Sequence, residues 1–221
     1  MRSWRTSRTG RRSAFSLIEV LTVVLLLTVL LLAALPAFRA ARVNAQRHTA
    51  ASDAMELAGA ALEFRRVYGS WPCEEEAGTS DTVITAGKSG TGLDAYSLDI
   101  AKVVHTLLGD ESCRRYNPRS IAFLELTRGC LRQKAGDAVA YPYDPWGRPY
   151  VMLMARSMRV EGRLSSNVNR IEGGLAIDLH GAEGDVTVET PDDVAVFSWG
   201  DPSMATNSTA PTRIVGSWSP R

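Results

Sequence analysis

Glu19 makes the strongest chemical demand in this chain. It is the one ionisable side chain in FSLIEVLTVVLLLTVLLLAALPAF, from Phe15 to Phe38, and the 19 residues from Val20 to Phe38 are uncharged. A carboxylate inside an apolar segment costs on the order of 3 kcal/mol unless it is paired. Either the headgroup water at a membrane edge or a positive charge on a neighbouring molecule can satisfy it. Cleavage just before Phe15 would create such a charge, a free α-amino group at the membrane. Other residue types able to do chemistry are scattered. His48, His105 and His180 each lack a nearby His or Cys at ligand spacing. Cys73, Cys113 and Cys130 allow three alternative single disulfides, and the sequence does not choose among them. Gly87-Lys88-Ser89 ends like a phosphate loop, but Thr82 stands where its first glycine belongs. No nucleophile elbow, HExxH or CxxC is present, so the sequence points away from catalysis.

The element that positions Glu19 is long enough to cross a bilayer core, which takes about 20 apolar residues, and it has no polar stripe. Ahead of it, Arg2, Arg5, Arg8, Arg11 and Arg12 stand in a stretch without acids. The positive-inside bias keeps such a segment cytoplasmic and places the bulk of the chain on the far side, against the smaller counterweight of Arg39, Arg42 and Arg47. A cleaved secretory signal is the alternative, with Ala33 and Ala34 as its small-residue site, although its apolar core would be shorter, about 7–15 residues.

Turn-free, alanine-rich sequence continues from Ala37 to Tyr68, and Ala51, Met55, Ala58 and Leu62 recur on one helical face. Asp53, Glu56 and Glu63 lie off that stripe. Gly69 and Trp71-Pro72 supply the stop. A helix from Phe15 to Tyr68 would run about 80 Å, kinked or loosened at Pro36. Residues 73–93 read as a loop, and Tyr96 to Leu108 as a helix ending at Gly109. Asn117 to Leu126 is a short apolar element of open type. Strand signals follow at Tyr150–Ala155, Gly174–Leu179, Val186–Glu189 and Val194–Trp199. The expected fold is α+β, with an antiparallel sheet of three or four strands packed on the Met55/Leu62 stripe.

Arg11-Arg12-Ser13-Ala14 followed by Phe15-Ser16-Leu17-Ile18-Glu19-Val20 resembles the cleavage and methylation motif of the type IV pilin and pseudopilin superfamily. Ala14 stands where that family usually has glycine. Pro36 falls where many pilins carry a helix-kinking proline. Asp144-Pro145-Trp146-Gly147-Arg148-Pro149-Tyr150 is similar to the turn of major pseudopilins of type II secretion systems, and Val196 to Asp201 to the strand and turn that follow it. As local structure, proline and glycine fix such a turn while Trp146 and Tyr150 anchor it in the core.

The resemblance implies a pilin-like fold and a structural subunit rather than an enzyme. Residues 1–14 are then a leader removed by a prepilin peptidase and methyltransferase, which cuts between Ala14 and Phe15 and methylates Phe15. Residues 15–38 are the transmembrane and filament-core helix, 39–69 its continuation, and 70–221 an exported α+β domain in the periplasm, anchored by a single pass in a bacterial inner membrane. Glu19 would pair with the amino terminus of the adjacent subunit during assembly. The implied partners are further pseudopilin subunits, the inner-membrane platform of the secretion system and membrane lipid. No nucleic acid is implied. Major pseudopilins often hold structural calcium in the C-terminal loop, for which Asp192, Asp193 and Asp201 are the candidates here; solvated loop acids are the alternative. A type IV pilus subunit, an uncleaved single-pass anchor carrying a periplasmic binding domain, and a soluble exported enzyme remain the other readings. The near-neutral charge fits this partition. The chain has 25 basic and 24 acidic residues. Taking away the five leader arginines leaves 20 against 24, a net charge of −4.

Overall fold

The computed structural model describes residues 16–77, 83–89, 96–125, 130–156, 162–163, 168–171, 174–181, 184–190, 193–201 and 214–218. The chain divides into two compact units, Met1–Asn44 and Ala45–Arg221. One helix, α1 (Leu17–Tyr68), accounts for the described part of the first unit and opens the second. It contains Pro36 without interruption of its helical assignment. Alanine-rich sequence favours helix because alanine loses no side-chain entropy on folding.

In the second unit, α1 buries Ala50, Ala54, Leu57, Ala61 and Phe64, flanked by Ala58 and Ala60. The stripe is therefore shifted by one residue, roughly 100°, from the expected one. Met55 is 38% exposed, Ala51 is half-buried, and Leu62 packs only partly against the core. Leu57 and Phe64, the largest apolar side chains on this stripe, face inward, and the alanines between them let the sheet approach closely.

The sheet packed on that stripe has five strands: β1 (Val83–Gly87), β2 (Leu98–Asp99), β5 (Val151–Ala155), β10 (Val194–Ser198) and β11 (Val215–Gly216), in the order β11-β10-β5-β1-β2. The strands pair antiparallel except for β1 with β2, which run parallel, so the sheet is mixed rather than antiparallel as expected. The reason is β1. It lies in the stretch that reads as a loop, yet it pairs along β5 with Thr85 opposite Leu153 and Ile84 opposite Met154.

Strands β5 and β10 are buried along their whole length because both sheet faces are covered. Ile84, Ala86, Met152, Met154, Val194 and Val196 face α1 and α2 (Ile100–Leu107), while Val83, Val151, Leu153, Ala155, Ala195 and Phe197 form a second cluster. Into that second cluster β8 (Gly174–Gly181) sends Leu175 and Ile177. With β6 (Gly162–Arg163), β7 (Val168–Ile171) and β9 (Gly184–Thr190), β8 makes a separate four-stranded antiparallel sheet. Two of the four expected strands thus belong to a different sheet from the other two. A hairpin of β3 (Leu131–Arg132) and β4 (Tyr141–Pro142) completes the strands among the described residues.

The expected helix after Tyr96 shortens to the eight residues of α2, capped where Asp99 accepts from the Ala101 amide at 2.9 Å. It stops at Gly109, whose φ of +74° and approach to the Ser120 carbonyl oxygen, 2.8 Å from an ideal Cβ, both exclude a side chain. Residues 118–125, the described part of the apolar stretch after Asn117, have no regular secondary structure. Asn117 orders them instead. Its amide donates to the Thr106 and Ile121 carbonyls and accepts from the Tyr68 hydroxyl and the Ile121 amide.

Candidate functional site

Ala14 and Phe15 lie outside the described residues. From Leu17 onward α1 presents its apolar side chains outward: Leu17, Ile18, Leu21, Leu25, Leu30 and Leu32 are each at least 64% exposed. No residue in the most apolar window of the helix is buried, and the helix is long and apolar enough to cross a membrane. The two threonines in this segment make no polar demand on their surroundings. Thr22 donates to the Glu19 carbonyl at 2.9 Å, and Thr28 to those of Val24 and Leu25. Pro36 withholds one backbone donor. Glu19 is exposed in the first turn, where a carboxylate suits the positive end of the helix dipole. Of the described side chains from Leu17 to Phe38, its carboxylate alone has a hydrogen-bonding demand that the helix does not meet.

The turn at residues 144–150 is built around Asp144, which is fully buried. The Gly147 amide donates to the Asp144 carbonyl at 3.0 Å and closes a β-turn with Pro145 and Trp146 at its centre. Gly147 follows with φ +83°, a backbone that glycine adopts without strain. The Asp144 side chain holds the turn from within: Oδ1 accepts from the Trp146 amide at 3.0 Å and the Arg148 amide at 2.7 Å. Oδ2 accepts from the Ser198 hydroxyl, which itself accepts from the Gly200 amide at 2.9 Å. The carboxylate thereby ties the turn to the end of β10. Burial raises its pKa above the ordinary 3.8, outweighing the hydrogen bonds from Ser198, Arg148 and Trp146 that lower it.

Of the two expected anchors, Tyr150 is fully buried and Trp146 half-buried. The Trp146 indole N–H is enclosed without an acceptor among the described residues. Pro149 is buried and forms a bridge with Tyr143. Tyr150 carries a contact that the sequence concealed. Its hydroxyl donates to Asp53 Oδ2 at 3.1 Å and lies 3.4 Å from the Ala50 carbonyl, so turn and helix are hydrogen-bonded across 97 residues of sequence. Burial raises the Asp53 pKa, opposed by the Tyr150 hydroxyl and by Arg132. The Tyr150 hydroxyl is pushed well above its ordinary value, first by burial and then by the Asp53 charge.

Two of the three calcium candidates, Asp193 and Asp201, lie among the described residues. Asp193 pairs with Arg65 Nη1 at 3.3 Å, and Arg65 also stacks over Trp71 at 4.3 Å from the ring centroid. Calcium takes six to eight oxygens, and a carboxylate shared with a guanidinium fits that need poorly. Asp201 is half-buried, and Asp192 lies outside the described residues. Among the described residues no group of three His, Cys, Asp or Glu side chains gathers at metal-binding distance. His105 bonds instead to Asp110 at 3.1 Å and the Ala140 carbonyl at 3.3 Å. Lys88, from the phosphate-loop-like fragment, is held by Asp137 and by the Tyr143 hydroxyl at 2.8 Å. All three cysteines are buried as free thiols.

Comparisons with family models, with curated proteins and with solved structures found no match to this chain.

Proposed function

We propose that this chain is a structural subunit of a type II secretion-like pseudopilus, assembled by helix packing after removal of residues 1–14 and methylation of Phe15. The reading rests on one observation above the rest: a continuous helix whose first part is apolar and unburied, with Glu19 in its first turn. The sequence motif around Phe15 agrees with it, as does the turn at residues 144–150.

Assembly supplies the two things that α1 lacks in isolation. Neighbouring helices cover the apolar side chains after lipid releases them. The amino group of the adjacent subunit meets the Glu19 carboxylate. Hydrophobic packing then drives association, and the charge pair fixes register, because an unpaired buried carboxylate costs roughly 3–5 kcal/mol. The remainder of the chain is an exported domain with no catalytic duty.

The test has two steps. Mass spectrometry of the chain from membranes gives its N-terminus: Phe15 with an added methyl group supports the subunit reading, whereas an intact Met1 supports an uncleaved anchor. Glu19→Ala should then abolish filament formation while cleavage and membrane insertion proceed. Normal filaments from that variant would remove the role given to Glu19.

A further inference from the structure

Arg39 and Arg42 follow the uncharged run directly, and both are exposed. They lie three residues apart, on neighbouring positions of one helix face. The helix carries no acidic side chain between Glu19 and Asp53, so nothing along it neutralises them locally. Among the described residues neither takes part in a salt bridge. The preceding residue, Phe38, is 71% exposed.

Axial distance decides what these arginines can meet. The run from Val20 to Phe38 spans about 28 Å as a helix, close to the roughly 30 Å of a bilayer hydrocarbon core. Arg39 therefore falls at the core boundary, and Arg42 lies about 4.5 Å further along the axis. A headgroup layer is roughly 5–7 Å deep, so both guanidinium groups reach it and Phe38 sits at its inner edge. The charge bias that orients spanning helices disfavours arginine on the exported side. Guanidinium forks match phosphate oxygens in pairs.

We propose that Arg39 and Arg42 form a binding collar for anionic phospholipid headgroups on the exported side of the membrane. This rests on the reading that Val20–Phe38 spans a bilayer. The collar holds the helix at a fixed depth and enriches anionic lipid around it before assembly.

The full chain is purified in detergent and reconstituted into vesicles of phosphatidylcholine with a minority of spin-labelled phosphatidylglycerol or phosphatidylcholine. The relative association of the two labels is then compared among wild type, Arg39→Gln/Arg42→Gln, Arg39→Lys/Arg42→Lys and the control Arg114→Gln. Leader arginines contribute equally to every variant, so differences report the collar alone. Wild type should favour phosphatidylglycerol, and each lost charge should lower that preference about fivefold. The lysine variant should keep most of it, and Arg114→Gln should match wild type. Equal preference in wild type and the glutamine variant overturns the proposal. So does a glutamine variant that keeps its lipid preference but loses chemical cross-links to a second copy, which would assign the arginines to acidic side chains of that copy. If wild type floats with vesicles but shows no phosphatidylglycerol preference, the collar fails alone. If it does not float with vesicles of either composition, the spanning reading fails and takes the collar with it.

Discussion

Replacing Asp144 separates two reasons for burying a carboxylate at the turn. With Asp144→Ala, the amides of Trp146 and Arg148 and the hydroxyl of Ser198 all lose their acceptor. An orphaned buried donor costs about 1–3 kcal/mol. Trp146 and Arg148 are only half-buried, so the low end applies to their amides, and the variant should lose about 3 kcal/mol. For a chain of this size that is roughly 6–12 °C in Tm. Asp144→Asn keeps a side-chain oxygen for both amides, and its NH2 can donate to Ser198 Oγ. It also removes the charge that burial penalises, so it should stay within about 1 kcal/mol of wild type at neutral pH.

The pH dependence has a definite sign. The folded pKa of Asp144 lies above the ordinary 3.8. Above the folded pKa the penalty on the charged form is fully present; it is relieved as pH falls through that pKa towards 3.8. Asp144 therefore favours the folded state on mild acidification. Asp53 and Glu56, also raised by burial, act in the same direction, while Asp137, lowered to about 2 chiefly by Lys88, acts in the opposite one. The difference between wild type and Asp144→Asn isolates the Asp144 contribution. Urea unfolding of the full chain in detergent, followed by near-ultraviolet circular dichroism between neutral pH and pH 4, measures it. If Asp144→Asn proves as damaging as Asp144→Ala, the negative charge itself is required and a bound cation becomes the better explanation. If Asp144→Ala is neutral, the turn does not depend on this carboxylate.

The same unfolding assay tests the phase of the core stripe: Leu57→Ala should cost about 3–5 kcal/mol, and Met55→Ala less than about 1. Gly109→Ala meets both a left-handed backbone and the Ser120 carbonyl, and should lose about 2 kcal/mol or more; wild-type stability would show that the segment after α2 gives way. Burial pushes the Cys73 thiol up to about 11 and the Cys130 thiol up to about 12, so neither should react with an alkylating reagent at neutral pH until the chain is unfolded. Rapid labelling of the native chain at either position, read by peptide mass spectrometry, would contradict their burial.

The elements with strong local patterns were legible in the sequence. The runs at 151–155 and 194–198 are nearly continuous in apolar residues, which marks strands covered on both faces. The apolar segment after Phe15 cannot be mistaken for a surface helix. Elsewhere the deciding contact is remote. Val83–Gly87 is short and lies among glycine, serine and threonine, and it becomes a strand only because β5 is there to pair with it. The stripe on α1 was ambiguous because alanines at 50, 51, 54, 58, 60 and 61 support two phases of the same repeat equally. Leu57 and Phe64 settle it, by fitting the space left by β5 and α2. Asp53 offered no sign of its bond to Tyr150, which lies almost a hundred residues downstream. The motif around Phe15 was plain as a pattern, and its meaning depends on chemistry at residues 14 and 15, beyond the described part of the chain.

The long-range bonds that close the second unit also order its construction. Tyr150 reaches back 100 residues to Ala50, and Arg65 reaches forward 128 to Asp193. The stripe on α1 finds its full cover only when Val194 and Val196 have been made, 132 residues after Phe64 in the case of Val196. At ordinary synthesis rates that is a wait of roughly 7 to 26 seconds. During that interval an amphipathic helix is complete while the sheet that shelters it is not. A nascent chain stalled before β10 would expose Leu57 and Phe64 to any chaperone or protease within reach. The core around the α1 stripe is therefore complete only once β10 has been made.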